Sequence, residues 1–184
     1  MFRPQLTTKL NVNDPASFLP AAERLLQQYA QSLRELQNPP VFRARRTSAQ
    51  AVGAAAGVVV VQFDTVDIDS HGWWDATNHR YVPREFGYYL VTASVRISAA
   101  TAATYCYAYV YKTAAQYEVA NVYAPANAIY QTRVQAIVEC NGGGIGLTQD
   151  YIDIREQQDA AHDIGSSAPN TTFAVYFIGQ RTLR

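Results

Sequence analysis

Charged side chains, sulfur and long apolar runs are all scarce in this chain of 184 residues. Only 16% of it is charged, and the 15 basic residues balance the 15 acidic ones. No basic stripe is available to release counter-ions from a phosphate backbone, which argues against a nucleic-acid partner. No uninterrupted segment approaches the roughly 20 apolar residues that span a bilayer, and "MFRPQLTTKLNVNDP" at the start lacks the apolar block of a secretory signal. The expectation is a chain with no membrane partner and no signal peptide, which folds where it is made. With two cysteines, Cys106 and Cys140, in such a compartment, free thiols are expected rather than a disulfide.

Catalytic patterns are missing as well. The glycine cluster "CNGGGIGLTQD" has neither the following helix nor the Lys-Ser/Thr pair of a phosphate loop, and reads as a connection between strands. His71, His79 and His162 form no i, i+4 pair and have no cysteine neighbours at zinc spacing, so each reads as a loop histidine. No nucleophile-elbow pattern accompanies them, and the expectation is a protein that is not an enzyme and takes no cofactor. Asp64, Asp67, Asp69 and Asp75 in "FDTVDIDSHGWWD" are hard oxygen ligands of the kind calcium takes. Their spacing matches no known calcium loop, and carboxylates at turns commonly bond local backbone N–H groups. The expectation is turns and no metal, and an unchanged melting curve on adding chelator would confirm it.

What the chain does contain begins with organisation. Residues 1–13 are polar and aperiodic, a tail expected to order only on another protein. Asp14-Pro15 is a helix-start pair, since Asp accepts from orphan N–H groups and Pro fits the first turn. Over residues 14–40, "LPAAERLLQQYAQSLREL" places Leu19, Leu26 and Leu33 at one heptad position and Ala22, Tyr29 and Leu36 at the other, before Asn38-Pro39-Pro40 stops it. An isolated helix of this size is marginal in water, so the seam needs a partner. The heptads leave open whether that partner is its own domain, a neighbouring protein or copies of itself.

From Val41 to the end, residues 41–184, the hydrophobic period changes to two. The runs "VFRARRT", "GVVVVQFD", "GYYLVTASVRI", "TYCYAYVYK", "YEVANVY", "YQTRVQAIVE", "YIDIRE" and "TTFAVYFIG" are separated by turn-forming residues, which implies an all-β sandwich or barrel of antiparallel strands. After Gly87, alternation puts Tyr89, Val91, Ala93, Val95 and Ile97 on one face and Tyr88, Leu90, Thr92, Ser94 and Arg96 on the other. "TYCYAYVYK" sets Tyr105, Tyr107, Tyr109 and Tyr111 against Cys106, Ala108, Val110 and Lys112. That aromatic face is either an exposed ligand surface or packing between the sheets.

In this order the strands resemble the globular head of complement C1q, the jelly-roll family related to tumour necrosis factor. "FRARRT" resembles that family's opening strand. Phe63-Asp64, Trp74-Asp75, Tyr81, Pro83, Gly87 and Tyr89 resemble its most recognisable segment, with Trp in place of the usual Tyr at the turn. "LTQDYIDIRE" resembles a later strand, with Gln149 where a Gly is usual, and "TTFAVYFIG" resembles the closing one. The resemblance implies a ten-stranded C1q/TNF-like jelly roll that assembles as a homotrimer, with the strands beginning near Gly87, Tyr151 and Thr171 in the inner, trimer-forming sheet. Tyr88, Leu90, Thr92 and Tyr151 would then meet symmetry mates. The tyrosine ladder would lie in the outer sheet.

A three-fold head also gives the heptad seam two copies of itself as partners, so the helix is expected to be a short coiled-coil stem. A short anchor, a helical stub and a jelly-roll head together resemble surface proteins of tailed bacteriophages. The functional expectation is a structural virion protein assembled in the host cytoplasm. It would be a trimeric capsid-decoration or head-fibre protein docked on a capsid or tail protein through residues 1–13. The alternative is a receptor-binding tail-fibre or baseplate tip that recognises a host surface glycan or protein.

Overall fold

The structure, a computed structural model, describes residues 20, 22–27, 29–30, 38–53, 57–98, 104–124, 129–143, 148–158, 160–165 and 171–180. It divides into two units, Met1–Pro39 with Thr182–Arg184, and Pro40–Arg181. In the first, residues 20, 22–27, 29 and 30 are helical, with Ala22 half-buried and Leu26 and Tyr29 exposed. Leu19, Leu33, Leu36 and the 1–13 tail lie outside the described residues. Among those described, no helix is long and apolar enough to cross a membrane.

The second unit contains β1 (Val41–Arg45), β2 (Gln50–Val52), β3 (Val58–Val60), β4 (Thr65–Asp69), β5 (Trp74–Asp75), β6 (Arg80–Tyr81), β7 (Gly87–Ser98), β8 (Thr104–Lys112), β9 (Ala115–Ala124), β10 (Tyr130–Cys140), β11 (Ile152–Gln157), β12 (His162–Ile164) and β13 (Thr172–Gly179). A seven-stranded sheet runs β2-β12-β7-β13-β1-β4, with β10 on the other edge of β7. A six-stranded sheet runs β5-β6-β11-β8-β9, with β3 also on β11. The strand pairs are antiparallel throughout.

Thirteen strands among the described residues replace the expected ten. Eight of them correspond to the runs quoted from the sequence; the other five, β2, β4, β5, β6 and β12, are two to five residues long, too short for a period of two to register. The run "GVVVVQFD" shortens to β3, with one further bond from the Val61 N–H to the Ile154 carbonyl before the chain turns away. The acidic stretch, read as turns, contains an edge strand, β4, and charge on an edge discourages pairing with other chains.

Between the sheets, Tyr89, Val91, Val95 and Ile97 of β7 and Ile152 and Ile154 of β11, each fully buried, belong to one core cluster. Phe42 stacks on Trp74 at 4.8 Å and meets Tyr81 and Phe173 at 5.1 and 5.3 Å, filling the region beside β5 and β6 with rings. Gly87 opens β7 for a reason of space. A Cβ there would lie 2.6 Å from the carbonyl oxygen of Gly179 and from the Phe177 ring, so any side chain would push β13 away.

Candidate functional site

Pairing registers assemble side chains from separate strands into rows on the outward face of the seven-stranded sheet. Ile137 of β10 stands opposite Leu90 of β7, Leu90 opposite Tyr176 of β13, and Tyr176 opposite Val41 of β1. Ile137 is 59% exposed, Ile178 53% and Tyr176 40%. The next row on that face is Gln135, Thr92, Ala174 and Arg43, and beyond it Arg133, Ser94, Thr172 and Arg45. Arg43 and Arg45 both reach Asp67 on β4, at 3.7 and 3.0 Å. Tyr88, Leu90 and Thr92 therefore do lie on this face, half-buried. Ile137, Tyr176 and Val41 were not singled out from the sequence, because only the register shows which residues of distant strands stand beside Leu90.

Tyr151 does not join them. The strand it precedes, β11, pairs with β8, β6 and β3 in the six-stranded sheet, whereas β7 and β13 share the other. Tyr151 instead lies beneath the Arg80 guanidinium, 4.6 Å from the ring centroid. The alternation of "YIDIRE" suits either sheet, and only the pairing partner decides.

The tyrosine ladder points outward from the six-stranded sheet, since Cys106, Ala108 and Val110 occupy its inward face. Its neighbouring rings are 6.3, 6.0 and 5.9 Å apart from Tyr105 to Tyr111. Tyr105 is 54% exposed, yet Tyr109 is only 7% exposed, covered by rings on both sides. Its hydroxyl donates to Gln157 Oε1 at 2.8 Å. Arg155 lies 4.0 Å above the Tyr111 ring and donates through Nε and Nη2 to Asp153.

Behind this face is a polar cluster that sequence reading missed. His162, read as a loop residue, is fully buried on β12, with Nε2 2.9 Å from Glu156 Oε2. Its Nδ1 donates to the carbonyl of Ala160 at 2.8 Å. Both ring nitrogens face acceptors, the arrangement an imidazolium satisfies. Burial opposes the charge, but the Glu156 and Ala160 bonds outweigh it and the His162 pKa is raised. The Cys106 thiol donates to the second Glu156 oxygen at 4.0 Å and accepts from Thr132 at 3.4 Å. Two buried titratable residues six positions apart, in runs otherwise apolar at alternate positions, were the only signal available.

The aspartates have protein donors. Asp64 accepts from the backbone N–H and hydroxyl groups of Thr47 and Ser48, and although burial pushes the other way these bonds hold its carboxyl below the usual range. Asp69 accepts from the N–H groups of Trp73 and Trp74, and Asp75 from Asn78 and Arg80. Among the described residues, no three His, Cys, Asp or Glu side chains group to hold a metal ion. Cys106 and Cys140 are free and buried.

No protein-family model matches the chain, and no curated protein does either. Solved structures do resemble it. An Eiger TNF structure from S. frugiperda superposes with a TM-score of 0.57 at 11% identity, covering 78% of this chain and 96% of that one. The globular domain of zebrafish complement 1qA protein gives 0.55 at 10%, covering 77% and 98%. Murine APRIL gives 0.54 at 11%, covering 76% and 98%. The fold is thus the jelly roll of the TNF and C1q proteins, in agreement with the expected sandwich.

Proposed function

We propose that this chain is a self-associating, non-catalytic jelly-roll head that forms a homotrimer through the outward face of its seven-stranded sheet. The observation that carries the reading is the Ile137, Leu90, Tyr176 and Val41 row, an apolar band across four strands with more than half of Ile137 exposed. Burying one such side chain is worth about 1.5 to 3 kcal/mol, and three-fold symmetry repeats the gain. Sedimentation equilibrium should give three chains per particle, and Leu90→Asp should give one; a wild-type monomer at micromolar concentration defeats the reading.

Its role in this proposal is structural, as a capsid-decoration or head-fibre protein of a tailed bacteriophage, held on the virion by residues 1–13, with residues 14–40 as a helical stem. The polar tail, heptad stub and jelly-roll head in that order support it. Removing residues 1–13 should leave a soluble trimer that no longer co-sediments with particles, and electron microscopy of the particle should place the head on its surface. A second reading, a receptor-binding tip, is favoured by the outward tyrosine ladder. In that case Tyr107→Ala should reduce attachment to host cells without dissolving the trimer.

A further inference from the structure

A cavity of about 540 Å³ opens beside β5 and β6, in the size range of sites for small ligands. Half-buried Trp74 forms one wall with the nearly buried Trp73 behind it, Arg80 and Arg84 line the cavity beside them, and Gln149 and Gly142 close the far side. The two arginines differ in how much of their donor capacity is used. Arg80 gives only Nε to Asp75, at 2.9 Å, and its terminal nitrogens make no hydrogen bond among the described residues. Arg84 is exposed and has no ion-pair partner among the described residues.

With Asp75 already accepting from Asn78 and Arg80, the free charge at the cavity is positive. A guanidinium fork matches a carboxylate in plane and spacing. The site is also shaped by the backbone. Gly142 packs so closely on the main chain of residue 84 that a Cβ would lie 2.3 Å from the Arg84 carbonyl oxygen, which closes the floor and fixes the base of the Arg84 side chain. Gln149 donates to the Pro83 carbonyl at 3.2 Å, which leaves its own oxygen to accept from a ligand hydroxyl.

We infer that this cavity binds a saccharide bearing a carboxylate, with the acid group on Arg84 and Arg80, a ring hydroxyl on Gln149 and the pyranose against the half-buried Trp74. A bare anion would leave the accessible part of the Trp74 indole uncovered, and a neutral sugar would leave Arg84, which has no ion-pair partner among the described residues, without one. This deepens the receptor-binding reading by naming a site and a ligand class, and it rests on that reading only for the source of the saccharide.

The chain has two tryptophans, and both line this cavity, so intrinsic fluorescence reads the site directly. Titration of the full chain with D-glucuronate should give a saturable change, matched by heat in calorimetry. D-glucose and inorganic phosphate should each bind at least about tenfold more weakly, and Arg84→Ala should weaken glucuronate about tenfold, as expected for a charge-assisted bond. Arg84→Lys should recover part of it. Unchanged melting of both variants, at an exposed position, keeps the comparison clean. The inference is overturned by silence in both readouts with glucuronate, by phosphate or glucose binding equally well, or by an Arg84→Ala variant that binds as wild type. Cell attachment separates this from the broader reading: titration that succeeds while cells are ignored removes the receptor role alone, and attachment that depends on Tyr107 while titration stays silent removes the cavity alone.

Discussion

On the six-stranded sheet, the outward aromatic rings come from consecutive alternate positions of one strand, about 6 Å apart, and each packs on the next. On the seven-stranded sheet, the outward apolar side chains stand on four different strands. The first surface largely covers itself: Tyr109 is nearly buried in an isolated chain, and Arg155 lies over Tyr111 while bonding Asp153. The second does not, since Ile137 and Ile178 remain more than half exposed. An aromatic surface thus need not be the one that most requires a partner. Contiguity along a strand lets rings satisfy one another, whereas aliphatic side chains spread across a sheet are covered only by another surface.

The strongest way to break this contrast is to charge each face in turn. Leu90→Asp should convert the assembly wholly to monomers that still melt cooperatively, as read by light scattering after size exclusion; Tyr107→Asp should leave the assembly state unchanged. If both dissolve it, the two faces are not distinct in role. Next in size is a change between the sheets, which should spare neither face. His162→Ala leaves Glu156 buried without its partner and should cost about 3 to 5 kcal/mol in denaturant unfolding. The wild-type protein should show the same linkage to pH. Because the His162 pKa is raised above 6.5 in the folded chain, its stabilisation is complete below that pH and is lost as pH rises through the folded value. His162→Ala should flatten that alkaline loss.

A smaller effect should stay on one face. Arg155→Ala removes the partner of the nearly buried Asp153 and the cover of Tyr111, at a cost of about 1 to 3 kcal/mol, with the assembly state unaffected. Smallest of all, Tyr105→Ala at the exposed end of the ladder should alter stability by no more than about 1 kcal/mol in thermal melts.

Long strands were legible because alternation over many residues is a strong signal. The split of β7 into Tyr89, Val91, Val95 and Ile97 inward and Tyr88, Leu90 and Thr92 outward follows directly from it. Pro83 and Gly87 marked the start of that strand, although the glycine's reason, the closeness of Gly179, belongs to a strand about ninety residues away. Register was not legible. Ile137 looks like any outward residue of β10 until Leu90 is found beside it, and Tyr151 was assigned to the wrong sheet because its strand carries no mark of its partner. His162 was misread for a related reason: a three-residue strand has no period, and its ion partner lies on the other sheet. The cavity beside β5 was not legible because nothing in the sequence brings Gly142 and Gln149 beside Trp74, Arg80 and Arg84, which lie about sixty residues earlier.

The two cysteines lie on different sheets, Cys106 on β8 behind the tyrosine ladder and Cys140 at the end of β10. Burial pushes both thiols up to about 12, so neither offers thiolate to a reagent at neutral pH while its strand is closed. Each therefore serves as a clock for its own sheet. The rate at which a small alkylating reagent marks Cys106 times the opening of the ladder strand, and the rate at Cys140 times the opening of the strand that carries Ile137, so mass spectrometry of one sample can tell whether the two halves of the sandwich breathe together or apart.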